Sequence, residues 1–160
     1  MGKIALERAE KIAEAVVKRL SPYCKKIEVA GSIRRRKPSV NDIDICLIPS
    51  DLWNLHQEIL SLCRPFKPKI SGLKIMRIEV ASTQVDIYFC DETTWATLLL
   101  IRTGPTERNI KLCSIAKKRG WHLAASGDGL FDETGKRIAG ESELSIYQAL
   151  GLPFQDPRER

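Results

Sequence analysis

No stretch of this 160-residue chain approaches the roughly 20 consecutive apolar residues needed to cross a bilayer, which excludes a helical membrane protein. The opening MGKIALERAEK is charged and holds no apolar segment of a secretory signal. Gly2 follows Met1, but no Ser or Thr follows Ala5 and Leu6 where myristoylation would want one. The expectation is an intracellular protein (cytoplasmic, nucleoid-associated or viral) that is neither secreted nor membrane-bound. C-x-x-C pairs are also missing. Cys24, Cys46, Cys63, Cys90 and Cys113 are odd in number and widely spaced, which argues against a disulfide framework or a zinc site and for reduced, partly buried thiols. Internal repeats and low-complexity linkers are absent. His56 and His122 stand alone without ligand spacing and read as structural or surface residues.

What is present is an ordinary core and a patterned charge. A hydrophobic content of 43% is enough for one domain, or two small subdomains sharing an interface. The net charge of +6 is unevenly spread. Lys25 to Lys37 holds six cations and one acid, Arg64 to Arg77 five cations and no acid, and Arg102 to Arg119 six cations and one acid. Three basic patches form a footprint for a polyanion if the fold brings them to one face, and otherwise serve solubility.

Periodicity predicts an α+β chain. Ala5, Leu6, Ala9, Ile12, Ala13, Val16, Val17 and Leu20 mark an amphipathic helix that Ser21-Pro22 ends. KIEVAGS reads as a strand entering a Gly-Ser turn, and DIDICLIP as a second strand stopped by Pro49. A helix over about 51–63 presents Leu52, Leu55, Ile59 and Leu62 on one side. KIMRIEVAS and QVDIYFC form a hairpin split at Ser82-Thr83, and 91–101 is helical with Asp91 or Thr93 as cap. After the break at RTGPT come a helix over about 106–119 closed by Gly120, a small antiparallel sheet, a short helix capped by Ser142, and an extended tail. Trp53, Trp95 and Trp121 are expected in packing rather than as base-stacking platforms.

The window AGSIRRRKPSVNDIDI concentrates the chemistry. Asp42 and Asp44 lie two apart on a predicted strand, so both side chains leave the same face. Paired carboxylates repel one another unless a cation binds, which suits magnesium. Asp86, flanked by Val85 and Ile87, repeats the pattern, and on a neighbouring strand it would bring a third carboxylate. Aspartates at strand ends also commonly bind turn N–H groups, and spacing does not separate the two uses. Gly31-Ser32 after a strand lets backbone approach a ligand, and Arg35 or a neighbour offers a fork that fits phosphate. On the later helix Arg108, Lys111, Ser114 and Lys118 share a face that could follow a phosphate backbone, with Ile110, Leu112 and Ile115 inward.

GSIRRRKPSVNDIDI resembles the G-S-x-x-R…D-x-D signature of the family X DNA polymerases, the polymerase beta-like nucleotidyltransferases. QVDIYF is similar to the segment with the third metal-binding aspartate, LLIRTGPTERNIKL to the joint between palm and thumb, AKKRGWHLAASGDGLFD to the thumb, and ESELSIYQALGLPFQDPRER to the family's carboxyl end. The resemblance implies a palm over 1–102 and a thumb over 103–160, without lyase or fingers domains, as in the small viral members. It implies that Asp42, Asp44 and Asp86 hold two Mg²⁺ ions, for which Mn²⁺ could substitute. Asp86 would also help activate the primer 3′-hydroxyl. Gly31, Ser32, Arg35, Gly104 and Asn109 would bind the incoming nucleotide, and Arg102, Arg108, Lys111 and Lys118 the DNA. The family has an unusual cis peptide after the T-G pair, and Pro105 makes Gly104–Pro105 an inexpensive cis bond.

Ile101-Arg102 departs from the family's aromatic pair before T-G, and Cys113 stands where many relatives carry an arginine that touches the template. The expected function is a DNA-directed DNA polymerase, a monomer that adds dNTPs to the primer 3′-hydroxyl of primer-template or gapped DNA by two-metal nucleotidyl transfer during repair. The alternatives are a nucleotidyltransferase acting on RNA ends, protein or a small molecule, and a non-catalytic DNA-binding protein.

Overall fold

The computed structural model describes residues 2–160. Strand β1 (Ile4–Ala5) leads into helix α1 (Leu6–Leu20), whose Ala9, Ala13, Val16 and Leu20 are buried at three- and four-residue steps. A 3-10 turn over Ser21–Tyr23, with Pro22 at its start, follows the helix. Then come β2 (Cys24–Val29), a single helical turn α2 (Gly31–Arg34), β3 (Ser39–Val40) and β4 (Ile43–Pro49). Helix α3 (Leu52–Cys63) starts at Asp51, whose carboxylate accepts the Asn54 N–H. Strands β5 (Ile70–Ser71), β6 (Ile75–Val80) and β7 (Thr83–Phe89) precede α4 (Trp95–Thr103). The remainder comprises α5 (Thr106–Lys118), β8 (His122–Ala124), β9 (Gly129–Phe131), β10 (Arg137–Ala139), α6 (Glu143–Ala149) and a 3-10 turn over Pro157–Glu159. The α+β class is as expected. No helix among the described residues is long and apolar enough to cross a membrane.

The main sheet has strand order β2-β4-β7-β6-β5; β4 and β7 run parallel and every other pair is antiparallel. Period-two alternation gives it two different faces. Ile43, Ile45, Leu47, Val85, Ile87, Met76 and Ile78 point to one face and pack with residues of α1 and α3 in a buried cluster. The other face carries Cys46, Ile48, Tyr88 and Cys90, which pack under Leu98 and Leu99 of α4. A separate cluster begins one residue later, at Leu100 and Ile101, and gathers Leu112, Ala116, Leu123, Leu130, Ile146 and Tyr147. The beginning of the second core thus coincides with the end of α4.

Several local expectations are corrected. The hairpin turn is Ala81-Ser82, both with positive φ (51° and 62°), so Thr83 already belongs to β7. Helix α4 starts at Trp95 and ends at Thr103, because Asp91 first forms a turn in which its carboxylate accepts the Thr94 N–H. Trp53 is 73% exposed: α3 turns Leu55, Ile59 and Cys63 inward, and a residue two before Leu55 faces away. Leu52, in the first turn, is exposed as well. Trp95 and Trp121 do pack against the clusters. Ile110 is also exposed, two residues before the inward Leu112. The tail is not simply extended, since it ends in the 3-10 turn and buries Arg160. The Gly104–Pro105 bond is cis, as expected, and so is Arg64–Pro65. All five cysteines are free.

Three arginine and glutamate side chains tie the two cores together. Arg34 of α2 donates to both carboxylate oxygens of Glu143 at the start of α6 (2.6 and 3.0 Å) and to the Thr103 hydroxyl (2.8 Å). Arg160 donates to the same carboxylate at 2.7 Å. Burial opposes ionisation of Glu143, but the hydrogen bonds from Arg34 and Arg160 outweigh it and hold the carboxyl below its ordinary value of 4.5. Because the folded value is depressed, this contribution to stability is complete above pH 4.5 and is lost as pH falls through the folded value. Glu143→Gln is expected to cost about 3 kcal/mol in urea unfolding at pH 7, since two guanidinium groups lose their counter-charge. The gap between the two proteins should narrow as pH falls below 4.5.

Candidate active site

Strand β2 ends at Val29, and the chain turns through Ala30 into α2. Gly31 has φ +60°, and a Cβ there would lie 2.3 Å from Asp44 Oδ2. Both conformation and space therefore require glycine, and its absence of side chain lets the turn sit directly on the Asp44 carboxylate. The next residues form one helical turn, closed by Arg35 N–H donating to Gly31 O. That turn separates the four consecutive cations. Arg34 enters the Glu143 joint, Arg36 pairs with Glu10, and Arg35 and Lys37 face a cleft of about 680 Å³. Arg35 is fixed by donating to Thr103 O at 2.6 Å, and its Nε is buried without a partner.

The cleft is lined on one side by Gly31, Ser32, Asp42 and Asp44, and on the other by Ile101, Arg102, Gly104, Pro105 and Asn109. Asp42 is exposed and sits just before β4, whereas Asp44 is on the strand. Burial, followed by the nearby Asp86 and Asp42 carboxylates, pushes the Asp44 carboxyl up from 3.8 to about 7. Asp44 accepts a long hydrogen bond from the Tyr88 hydroxyl (3.5 Å), and the Arg102 guanidinium stacks 4.3 Å from the centre of the Tyr88 ring. Asp86 lies opposite Asp44 in the parallel β4–β7 register, so the two side chains leave the same face of the sheet.

Asp86 is nevertheless engaged. Arg77 of β6 donates to both its oxygens, Nε to Oδ1 at 2.8 Å and Nη2 to Oδ2 at 3.2 Å, and Gln84 Nε2 lies 3.4 Å from each. Among the described residues no three His, Cys, Asp or Glu side chains are grouped as they would be around a metal ion. Asp42 and Asp44 do fit a divalent cation. Asp44 is a crowded carboxyl with no ion-pair partner of its own, it faces a cleft, and its proton would yield to positive charge. Asp86, held by Arg77, lies outside the cleft lining.

The remaining candidate residues are divided. Gly104 has φ +65°, and a Cβ on it would meet Arg35 Nη1 at 3.1 Å, so Arg35 and Gly104 are neighbours. Asn109 lines the cleft and donates to Ile101 O at 2.8 Å. Arg108 does not share the exposed face of Lys111, Ser114 and Lys118. It lies four residues before Leu112 on the inward side of α5, 6.0 Å from the Tyr147 ring, with Nε buried and unpaired. Lys111 and Lys118 are exposed outside the cleft lining. Tyr88, Lys37 and Lys3 are among the lining residues that escaped the sequence reading. Tyr88 could have been found as the residue two beyond Asp86 on the same face, and Lys37 as the end of the cation run. Lys3 enters only because β1 pairs with β3, which nothing in the local sequence signals.

Residues 98–160 match the family model described as DNA polymerase beta thumb. Over 157 residues, 95% of this chain, the sequence is 29% identical to the DNA polymerase/3'-5' exonuclease PolX of Bacillus subtilis (strain 168). The chain spans 27% of that relative's length. The mixed sheet, the thumb that follows it and the similarity running through both relate this chain to the family X DNA polymerases.

Proposed function

We propose that this protein is a DNA polymerase that transfers nucleotides from dNTPs to a primer 3′-hydroxyl, filling gaps in DNA. The observation that carries the reading is the cleft itself, where Asp42 and Asp44 share one space with Lys3, Arg35, Lys37 and Arg102. Carboxylates beside four cations match a nucleoside triphosphate that arrives with divalent metal. Asp42, Asp44 and Asp86 are the residues that would hold two Mg²⁺ ions, or Mn²⁺ in their place. When bound, such ions offset the negative charge that develops on the phosphoryl group and the departing pyrophosphate. Arg35, anchored on Thr103 O, keeps its remaining donors for phosphate oxygens, and Lys37 and the Ser32 hydroxyl lie in the same lining. Gly104, beside Arg35, would support the nucleotide sugar, and Asn109 would lie near the nascent base pair. Asp86, beside Asp44 in the sheet, would assist ionisation of the primer hydroxyl. Lys111 and Lys118 would meet the DNA backbone. Positioning and charge neutralisation suffice, and no covalent enzyme intermediate is required.

The deciding experiment is primer extension on gapped, recessed and blunt DNA, with each dNTP and rNTP supplied separately. Incorporation with a preference for gaps is expected. No incorporation on any substrate with Mg²⁺ or Mn²⁺ would sink the reading. Arg35→Ala should lower kcat/KM for dNTP roughly 30-fold, equivalent to about 2 kcal/mol of lost charged hydrogen bonding.

Asp44 gives a prediction of opposite sign for stability. Its folded pKa is raised, so the native state holds the proton more tightly than the unfolded chain does. Stability therefore falls as pH rises from 3.8 to about 7. Asp44→Asn should abolish extension yet raise the unfolding temperature of the metal-free protein at pH 8. The rise should be about 2–4 °C for each kcal/mol of relieved charge burial. Calorimetry with and without Mg²⁺ checks this, since metal should stabilise only the parent protein.

A further inference from the structure

Arg77 sits in a row of three charged side chains that crosses one face of the sheet. Asp44 on β4 is opposite Asp86 on β7, and Asp86 is opposite Arg77 on β6. The guanidinium gives both its hydrogen bonds to Asp86. The pair is unequal in exposure: the Asp86 side chain is 6% exposed and that of Arg77 is 34% exposed. Rotating Arg77 outward returns a cation to water, whereas Asp86 has nowhere to go. A partly solvated ion pair of this kind is weak enough to break when a better partner for either member arrives. For Asp86 that partner is a divalent cation shared with Asp44. For a guanidinium fork it is a phosphate.

We propose that Arg77 is a positioning residue that occupies Asp86 while no DNA is bound and hands it over when a primer-strand phosphate draws the guanidinium away. The inference rests on the polymerase reading above and extends it to the order of events: DNA first, full metal site second. In the free protein Arg77 offsets the charge of Asp86. It also delays assembly of a complete metal site until there is a primer end to act on. Arg77 closes a basic segment, Arg64 to Arg77, that contains no acid, so an approaching nucleic-acid backbone is attracted to the same edge of the sheet.

The test is Mn²⁺ binding to the full chain, read by electron paramagnetic resonance, without and with primer-template DNA. Arg77→Met removes the competitor but keeps an unbranched side chain. It should bind Mn²⁺ about tenfold more tightly than the parent without DNA, and the difference should close when DNA is added. Arg77→Lys keeps the charge without the fork and should fall between them. Asp86→Asn in the Arg77→Met background should cancel the gain. Circular dichroism establishes that each variant is folded. Equal Mn²⁺ affinity of parent and Arg77→Met without DNA would overturn the inference, and so would a gain that survives Asp86→Asn. If the parent extends primers while either of those results holds, Arg77 alone is misread. If the parent does not extend primers, the polymerase reading and this inference fall together.

Discussion

One parallel strand pairing governs the rest of the molecule. In a sheet where every other neighbour is antiparallel, β4 and β7 run side by side in the same direction. That register sets Asp44 against Asp86 on one face, and Ile43, Ile45 and Leu47 against Val85, Ile87 and Phe89 on the other. The alternation that builds the core thus also sets the face of both carboxylates, and a slip of one residue would turn a carboxylate toward α1 and α3 and isoleucines toward the cleft and α4. Parallel neighbours need a long crossover. Here α3, β5 and β6 supply it, and β6 returns beside β7 with Arg77 opposite Asp86. The connection required by the topology also delivers the cation that balances it.

The second constraint is the contact between Gly31 and Asp44. It brings the turn after β2 onto the carboxylate and sends the following residues around a helical turn. The four cations thereby reach three destinations, and only Arg35 and Lys37 reach the cleft. Arg34 is committed to Glu143, so the same turn that lines the cleft also carries the link to the second core. A shift of the second core against the first would therefore bear directly on the turn after β2, through Thr103, which accepts from both Arg34 and Arg35.

The sequence was legible where periodicity or a motif acts locally. The amphipathic first helix, the two aspartate-bearing strands, the break at Gly104 and the Ser142 cap all follow from neighbouring residues. Alternation made the faces of Asp44 and Asp86 readable, whereas Asp42 lies just before β4 and not on the strand, as its spacing had suggested. What it could not show was long-range pairing. Arg77 lies nine residues from Asp86 across a hairpin, and its partner depends on a turn at Ala81-Ser82 that carries no glycine, so the register was open. Glu143 and Arg160 are more than a hundred residues from Arg34, and nothing near them advertises an ion pair. Arg108 looked like a backbone contact by spacing, but Leu112 and Ala116 claim its side of α5 for the interior. Trp53 and Ile110 failed in the other direction, as apolar residues left outside because their helices turned other faces inward.

The arginine run has a further property that composition hides. Arg34 ends the helical turn, Arg35 caps it and Arg36 has φ +61°, so the partner a guanidinium finds is set by its distance from Gly31 and not by its identity. Removing one residue from this segment would rotate every later cation out of phase: the Glu143 carboxylate would be offered the wrong arginine, and the cleft would receive the one meant for Glu10. A stretch of four interchangeable-looking charges therefore behaves like a ruler. Its tolerance to exchange of Lys for Arg is a matter of degree, but its tolerance to a change of length is nil.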